Sequence, residues 1–163
     1  DQLVEGPVNF GENRAKAMER ARELMKIVRL DPEVLSRYPN QFSGGQRQRI
    51  CIARALMVEP KILIADEAVS ALDVSVQKEV LKLLNEIRDR MGLTVLFITH
   101  DLRVAAQVCD TLIVMQQGDV VERGTVEEVF GAPSHPYTKM LLDAQPGKHW
   151  VVPDVSTLPP AVA

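Results

Sequence analysis

Apolar side chains recur at helical spacing between Glu12 and Leu30, where Ala17, Ala21, Leu24, Met25 and Val28 share one face and Arg and Glu occupy the other. This predicts an amphipathic helix that Asp31-Pro32 stops, followed by a turn at Tyr38-Pro39-Asn40. A second helical pattern opens at Ser43 and runs through Ile50, Ala53, Ala55 and Leu56 to about Val58, with Pro60 beyond it. Lys61 to Ala65 is a short apolar run bounded by Pro60 and two carboxylates and reads as a buried strand. A strong helix then follows Asp73 through Val76, Val80, Leu83, Leu84 and Ile87 to a stop at Gly92. Thr94 to Thr99 is a second buried strand, and a helix from about Asp101 to Val108 follows it. Strands alternating with crossover helices imply an α/β fold with a parallel sheet.

Beyond it, Thr111–Gln116 and Asp119–Glu122 flank Gln117-Gly118 and predict a hairpin. A short helix after Thr125 and another from Pro136 to about Ala144 complete the pattern, and the Pro-rich stretch from Pro146 reads as loose. Residues 1–11, with Gly6, Pro7 and Gly11, read as a linker. The expected organisation is therefore a linker over 1–11, a helical segment over 12–59, an α/β segment over 60–130 and a C-terminal helix with loose tail over 131–163.

The chain has 163 residues, 46% hydrophobic and 25% charged, enough to bury a core. A formal net charge of −3 with basic residues dispersed gives no electrostatic reason to expect nucleic acid or an anionic membrane as partner. No apolar run approaches the roughly 20 residues that span a bilayer. Cys51 and Cys109, each in an apolar helical pattern, predict buried thiols in a reducing compartment. The sequence opens on Asp1 and not Met, in a polar stretch, and this predicts a piece of a longer polypeptide.

Four places can carry chemistry. The strand Ile62-Leu63-Ile64-Ala65 ends in Asp66-Glu67, where open α/β sheets place their ligands. There Asp66 could hold Mg²⁺, directly or through water, and Glu67 could polarise an attacking water in phosphoanhydride hydrolysis. The plainer alternative is two solvated loop acids. In Phe42-Ser43-Gly44-Gly45-Gln46-Arg47-Gln48-Arg49 a serine and two glycines start a helix. A free hydroxyl, close backbone approach and unpaired helix N–H groups suit a terminal phosphate, while a Ser N-cap with a flexible entrance explains the same residues. His100 ends the second strand, on the rim expected for Asp66 and Glu67, and is either structural or a contact for a γ-phosphate or its water. Ser70-Ala71-Leu72-Asp73 follows the carboxylates, with Asp73 placed to cap the next helix.

In order and spacing these segments resemble the ABC transporter ATPase family from about Glu12 to Ala144. Phe42–Gln46 is similar to its signature motif, Ile62–Glu67 to its Walker B strand with catalytic Glu, Ser70–Asp73 to its D-loop and His100 to its switch histidine. The resemblance implies a P-loop NTPase-like parallel sheet with flanking helices and a helical signature subdomain, ATP and Mg²⁺ as cofactors, and two ATPase subunits or domains arranged head to tail. Ser43, Gly44, Gly45 and Gln46 would then contact a γ-phosphate in trans, while Glu67 and His100 act on nucleotide in cis. It also implies permease partners and a place on the inner face of the cell membrane.

Residues 66–77 and His135-Pro136-Tyr137-Thr138 resemble the importers of oligopeptides, dipeptides, nickel and glutathione, although Pro136 near a helix start explains the latter equally. Phe42 replaces the usual Leu, and Ala68-Val69 the common Pro-Thr. No GxxxxGK[ST] occurs, so the cradle for β- and γ-phosphates and the glutamine loop are expected N-terminal to Asp1, and the chain alone is expected to be inactive. No Cys follows Cys109, which leaves the cysteine cluster of some relatives unsupported. An ABC-type ATPase outside transport, or a regulatory or dimerisation module, are the alternatives. Without the phosphate-loop strand the sheet should show bare apolar edges, leading to a dimer, a strand exchange or partial disorder around residues 1–40.

Overall fold

The computed structural model describes Gln2–Ala144, and the expected loose tail lies outside these residues. The chain divides into two units, residues 1–98 and 99–163.

The first unit begins with α1 (Gln2–Asn9) and α2 (Arg14–Ile27). Residues 1–11, expected as a linker, are thus mostly a helix. Tertiary packing overrides the Gly6 and Pro7 punctuation here: Val4 and Pro7 are buried, and Gly6 lies close to Val58. Asn13 caps α2 by accepting the Ala15 amide at 2.8 Å. Two 3-10 turns, Pro32–Ser36 and Pro39–Gln41, carry the chain from α2 to α3 (Gly44–Leu56). Residues 2–41 are therefore largely helical, which departs from the disorder considered for them. Their interior is formed by Val4, Met25, Val28, Leu56 and Met57, all nearly inaccessible to solvent. Arg20 closes the C-terminal end of α3 by donating to the Met57 carbonyl at 2.7 Å and pairing with Glu12 and Glu59.

β1 (Ile62–Asp66), α4 (Val74–Met91) and β2 (Thr94–Ile98) follow, with β1 and β2 paired in parallel from Ile62 opposite Thr94 to Asp66 opposite Ile98. This is the expected strand, crossover helix and strand of an α/β fold. Gly92 adopts φ +61°, the left-handed residue that ends α4. Leu63 and Ala65 point into the core, as do Val80, Leu83, Leu84 and Ile87 of α4. The strands were expected to be buried outright, yet β1 buries one face only and the inward residues of β2 are half-buried. Because side chains alternate along a strand, Ile62, Ile64, Leu96 and Ile98 share the opposite face and remain 45–64% exposed. Bare apolar edges were expected of this sheet; the apolar surface left exposed is one of its faces.

The second unit holds α5 (Leu102–Val108), β3 (Thr111–Gln116), β4 (Asp119–Thr125), α6 (Val126–Gly131) and α7 (Pro136–Asp143). Gln117 and Gly118, both at positive φ, form the two-residue turn of an antiparallel β3–β4 hairpin. Leu112, Val114, Ala105 and Val129 form its core, with Cys109, Phe130, Tyr137 and Leu141 packed around them. The division at 98/99 differs from the expected 60–130 segment because the hairpin pairs within itself and has this core of its own.

Buried thiols were expected at both cysteines. Cys109 is half-buried, but Cys51 is exposed, on a side of α3 that lines a shallow groove of about 140 Å³ with Gln48, Leu63 and Asp66. No helix among the described residues is long and apolar enough to cross a membrane.

Candidate functional site

Asp66 is the last residue of β1 and is exposed. The chain turns at once, and Glu67 takes φ +47°, the left-handed region that a non-glycine residue enters at about 1–2 kcal/mol. Both of its backbone groups are held. The Glu67 amide donates to the Ile98 carbonyl at 3.0 Å, extending the parallel pairing by one residue. The Glu67 carbonyl accepts from the Ser70 amide at 3.3 Å and from the Ser70 hydroxyl at 3.0 Å. Val69, 4% exposed, anchors the turn in the core, and its carbonyl accepts the Leu72 amide at 3.2 Å. The fold therefore places two successive, exposed carboxylate residues at the C-terminal end of a parallel strand.

Ser43 is the N-cap of α3 in a reciprocal box: its hydroxyl accepts the Gln46 amide at 3.3 Å, and the Gln46 side-chain oxygen accepts the Ser43 amide at 3.0 Å. The capping reading of this serine is thus correct. It does not exhaust the group, since a hydroxyl that accepts still has its own proton to donate. The glycines have a packing role that spacing did not reveal. A Cβ on Gly44 would stand 3.2 Å from Leu72 Cδ2, and one on Gly45 would stand 2.5 Å from Val76 Cγ1. The start of α3 is consequently packed against the segment that leads from Glu67 into α4. Arg49 of α3 adds an ion pair to Glu79 of α4 at 2.7 Å.

Asp73 stands at the N-cap of α4, and its carbonyl accepts the Gln77 amide at 2.8 Å. Its side chain, expected to cap the helix, makes no capping hydrogen bond and is exposed. Ser70 and Ala71 are exposed and Leu72 is half-buried.

His100 falls in the second unit, exposed, two residues past the end of β2. Asp101 caps α5, accepting the Arg103 amide at 2.9 Å and the Arg103 guanidinium at 3.1 and 3.2 Å. Partial burial pushes the Asp101 carboxyl up, but these bonds from Arg103 hold it below its ordinary value.

At the other end of this unit, Glu122 binds the start of α7. Its carboxylate accepts the Ser134 amide at 2.7 Å, the Ser134 hydroxyl at 2.9 Å and the His135 amide at 3.2 Å. The Ser134 amide above all, with the Ser134 hydroxyl and the His135 amide, lowers its pKa to about 2. His135 caps α7 through Nδ1, which accepts the Tyr137 amide at 3.2 Å, with Pro136 in the first turn. The His135–Thr138 segment is therefore a helix start, as its composition suggested. Its anchor, thirteen residues before His135, carried no local signal.

Among the described residues no cluster of three His, Cys, Asp or Glu could hold a metal ion. A magnesium ion needs few protein ligands when phosphates and waters supply the rest, so the exposed Asp66 carboxylate fits an ion that arrives with a nucleotide.

Residues 2–70 match the family model described as ABC transporter, and residues 121–153 the one described as oligopeptide/dipeptide transporter, C-terminal region. The chain is 51% identical over 146 residues to the dipeptide transport ATP-binding protein of Haemophilus influenzae, covering 88% of this chain and 45% of that one. It is 53% identical over 124 residues to the oligopeptide transport ATP-binding protein of Mycoplasma genitalium, covering 76% and 15% respectively. Among solved structures it is similar to cbiO1 of Clostridium perfringens, part of an ABC transporter complex, with a TM-score of 0.69 and 34% identity over 80% of this chain and 51% of that one. An ATP-binding cassette of an ABC transporter in its ADP conformation shares the fold, with a TM-score of 0.74 at 24% identity over 88% of this chain and 61% of that one. The chain spans less than half the length of the curated relatives it matches.

Proposed function

We propose that this chain, which belongs to the ABC transporter ATP-binding family and carries its oligopeptide/dipeptide transporter C-terminal region, serves an ATP-hydrolysing subunit that powers import of peptide-class solutes. The observation that carries the reading is the turn at Glu67: a strained residue, doubly held through its backbone, presents a carboxylate next to Asp66 at the end of a parallel strand. Left-handed backbone at a non-glycine residue occurs in plain turns, as at Gln117, and also collects at active sites; at Glu67 it coincides with a carboxylate at a strand end.

In this mechanism Glu67 orients and polarises the water that attacks the γ-phosphate, and His100 contacts the same phosphate or that water. Asp66 would hold a magnesium ion bound with ATP, which neutralises phosphate charge. Ser43 would donate a hydrogen bond from its hydroxyl, and the Gly44, Gly45 and Gln46 region would offer its helix N-terminus, to nucleotide held by a second ATPase subunit or domain placed head to tail. Closure on ATP and opening after hydrolysis shift the position of permease subunits. The phosphate-gripping loop is supplied by residues outside this chain, whose sequence holds no GxxxxGK[ST].

ATP turnover tests this. The chain alone should turn over negligible ATP, its mixture with a polypeptide bearing the phosphate loop should turn over ATP, and Glu67→Gln should abolish that activity. Turnover that survives Glu67→Gln refutes the assignment. Co-purification of the assembled ATPase with permease subunits, and peptide uptake dependent on it, test the transport role.

A further inference from the structure

We propose that Ser70 is a positioning residue for hydrolysis, acting by locking the backbone of Glu67. The inference rests on the reading of Glu67 given above and assigns Ser70 a role distinct from contact with nucleotide. The direction in which a side chain leaves the backbone is set by φ and ψ, so the left-handed conformation at Glu67, φ +47°, is what aims its carboxylate. L-residues leave this conformation readily unless something holds them. On the N-terminal side the hold is the Glu67 amide on the Ile98 carbonyl at 3.0 Å, a bond the strand pairing supplies regardless of side chains.

On the C-terminal side the hold depends on one residue. The Glu67 carbonyl receives the Ser70 hydroxyl at 3.0 Å and the Ser70 amide at 3.3 Å, the shorter of the two being the side-chain bond. Rotation of the peptide after Glu67 would break both at once. Buried Val69, between them in the chain, keeps the loop from following such a rotation. Replacing the hydroxyl removes the shorter of the two Ser70 bonds to this carbonyl, and the Glu67–Ala68 peptide gains freedom to turn. Ser70 itself is exposed, so its replacement should remove the lock without opening a cavity.

The test compares Ser70→Ala, Ser70→Thr and Glu67→Gln in the intact ATPase, phosphate loop included, with hydrogen exchange followed at the amides of Glu67 and Ser70. Ser70→Ala should lower kcat roughly tenfold, as expected for a misaimed group, with KM for ATP changed less than about twofold. Exchange at the Ser70 amide should quicken by a similar factor while the strand-held Glu67 amide keeps its protection, and Ser70→Thr, which keeps the hydroxyl, should restore both kcat and exchange. Wild-type kcat in Ser70→Ala, with Glu67→Gln inactive, overturns the lock and leaves the role of Glu67 standing. A fall in kcat that Thr does not rescue, or a loss carried by KM, also overturns it. Full activity in Glu67→Gln instead removes the hydrolytic reading on which the lock's purpose depends.

Discussion

Substitution of Gly45 separates two reasons for a glycine at the start of α3. Were the position an unobstructed helix residue, Gly45→Ala would stabilise the chain by up to about 1 kcal/mol through helix propensity. The structure predicts the opposite. The new Cβ would stand 2.5 Å from Val76 Cγ1, where ordinary contact begins near 3.4 Å, so α3 and α4 must separate by nearly 1 Å or Val76 must leave its rotamer. Overpacking of this order costs about 1–3 kcal/mol, and the net expectation is a loss of about 1–2 kcal/mol. Val76→Ala removes the obstructing methyl, and the nearest remaining Val76 atom, Cβ, would lie 3.9 Å from the added carbon. The double variant should therefore be more stable than the sum of the single losses predicts, with a coupling of about 1 kcal/mol or more. Urea denaturation of the four proteins gives the cycle directly. A stabilised Gly45→Ala, or additive losses in the double variant, would refute the packing argument and return Gly45 to a purely ligand-facing role.

Further predictions concern backbone and charge. Gly92→Ala should cost about 1–2 kcal/mol in urea denaturation, all of it from the left-handed backbone, because an added Cβ meets nothing within 4 Å. Glu67→Gly removes a strained carboxylate-bearing residue, so the protein should be as stable or up to about 1 kcal/mol more stable while the proposed hydrolysis is lost; a clear destabilisation contradicts the strain assignment. The pKa of Glu122 falls from the ordinary 4.5 to about 2 on folding, so its stabilising effect is full above pH 4.5 and fades as pH drops toward 2. Amide exchange at Ser134 and His135 should quicken through that window relative to the pH dependence of other amides, and Glu122→Gln should remove the dependence.

Periodicity and punctuation located almost every element in the sequence. The apolar stripe around Leu24 and Met25, the stop at Gly92 and the Gln117-Gly118 turn are local in physical origin, and local backbone preferences act on neighbours a few residues apart. For the same reason the motif segments were legible as a resemblance, and comparison supports the family they point to. The N-terminal residues were misread because Gly6 and Pro7 signal a linker locally, whereas burial of Val4 and Pro7 against other helices supplies the energy to keep a helix.

The sequence by itself determined where the helices and strands beyond residue 11 lie, that the strands pair in parallel across a helix, and which carboxylates end the first of them. Only the tertiary structure decided that Gly45 is small to admit Val76, that Ser70 holds Glu67, that Glu122 anchors the start of α7, and that one face of the strands stays bare. Each of these depends on atoms brought together by chain reversal. A pattern read along one dimension records what a residue prefers, and contact across the fold sets which preference prevails.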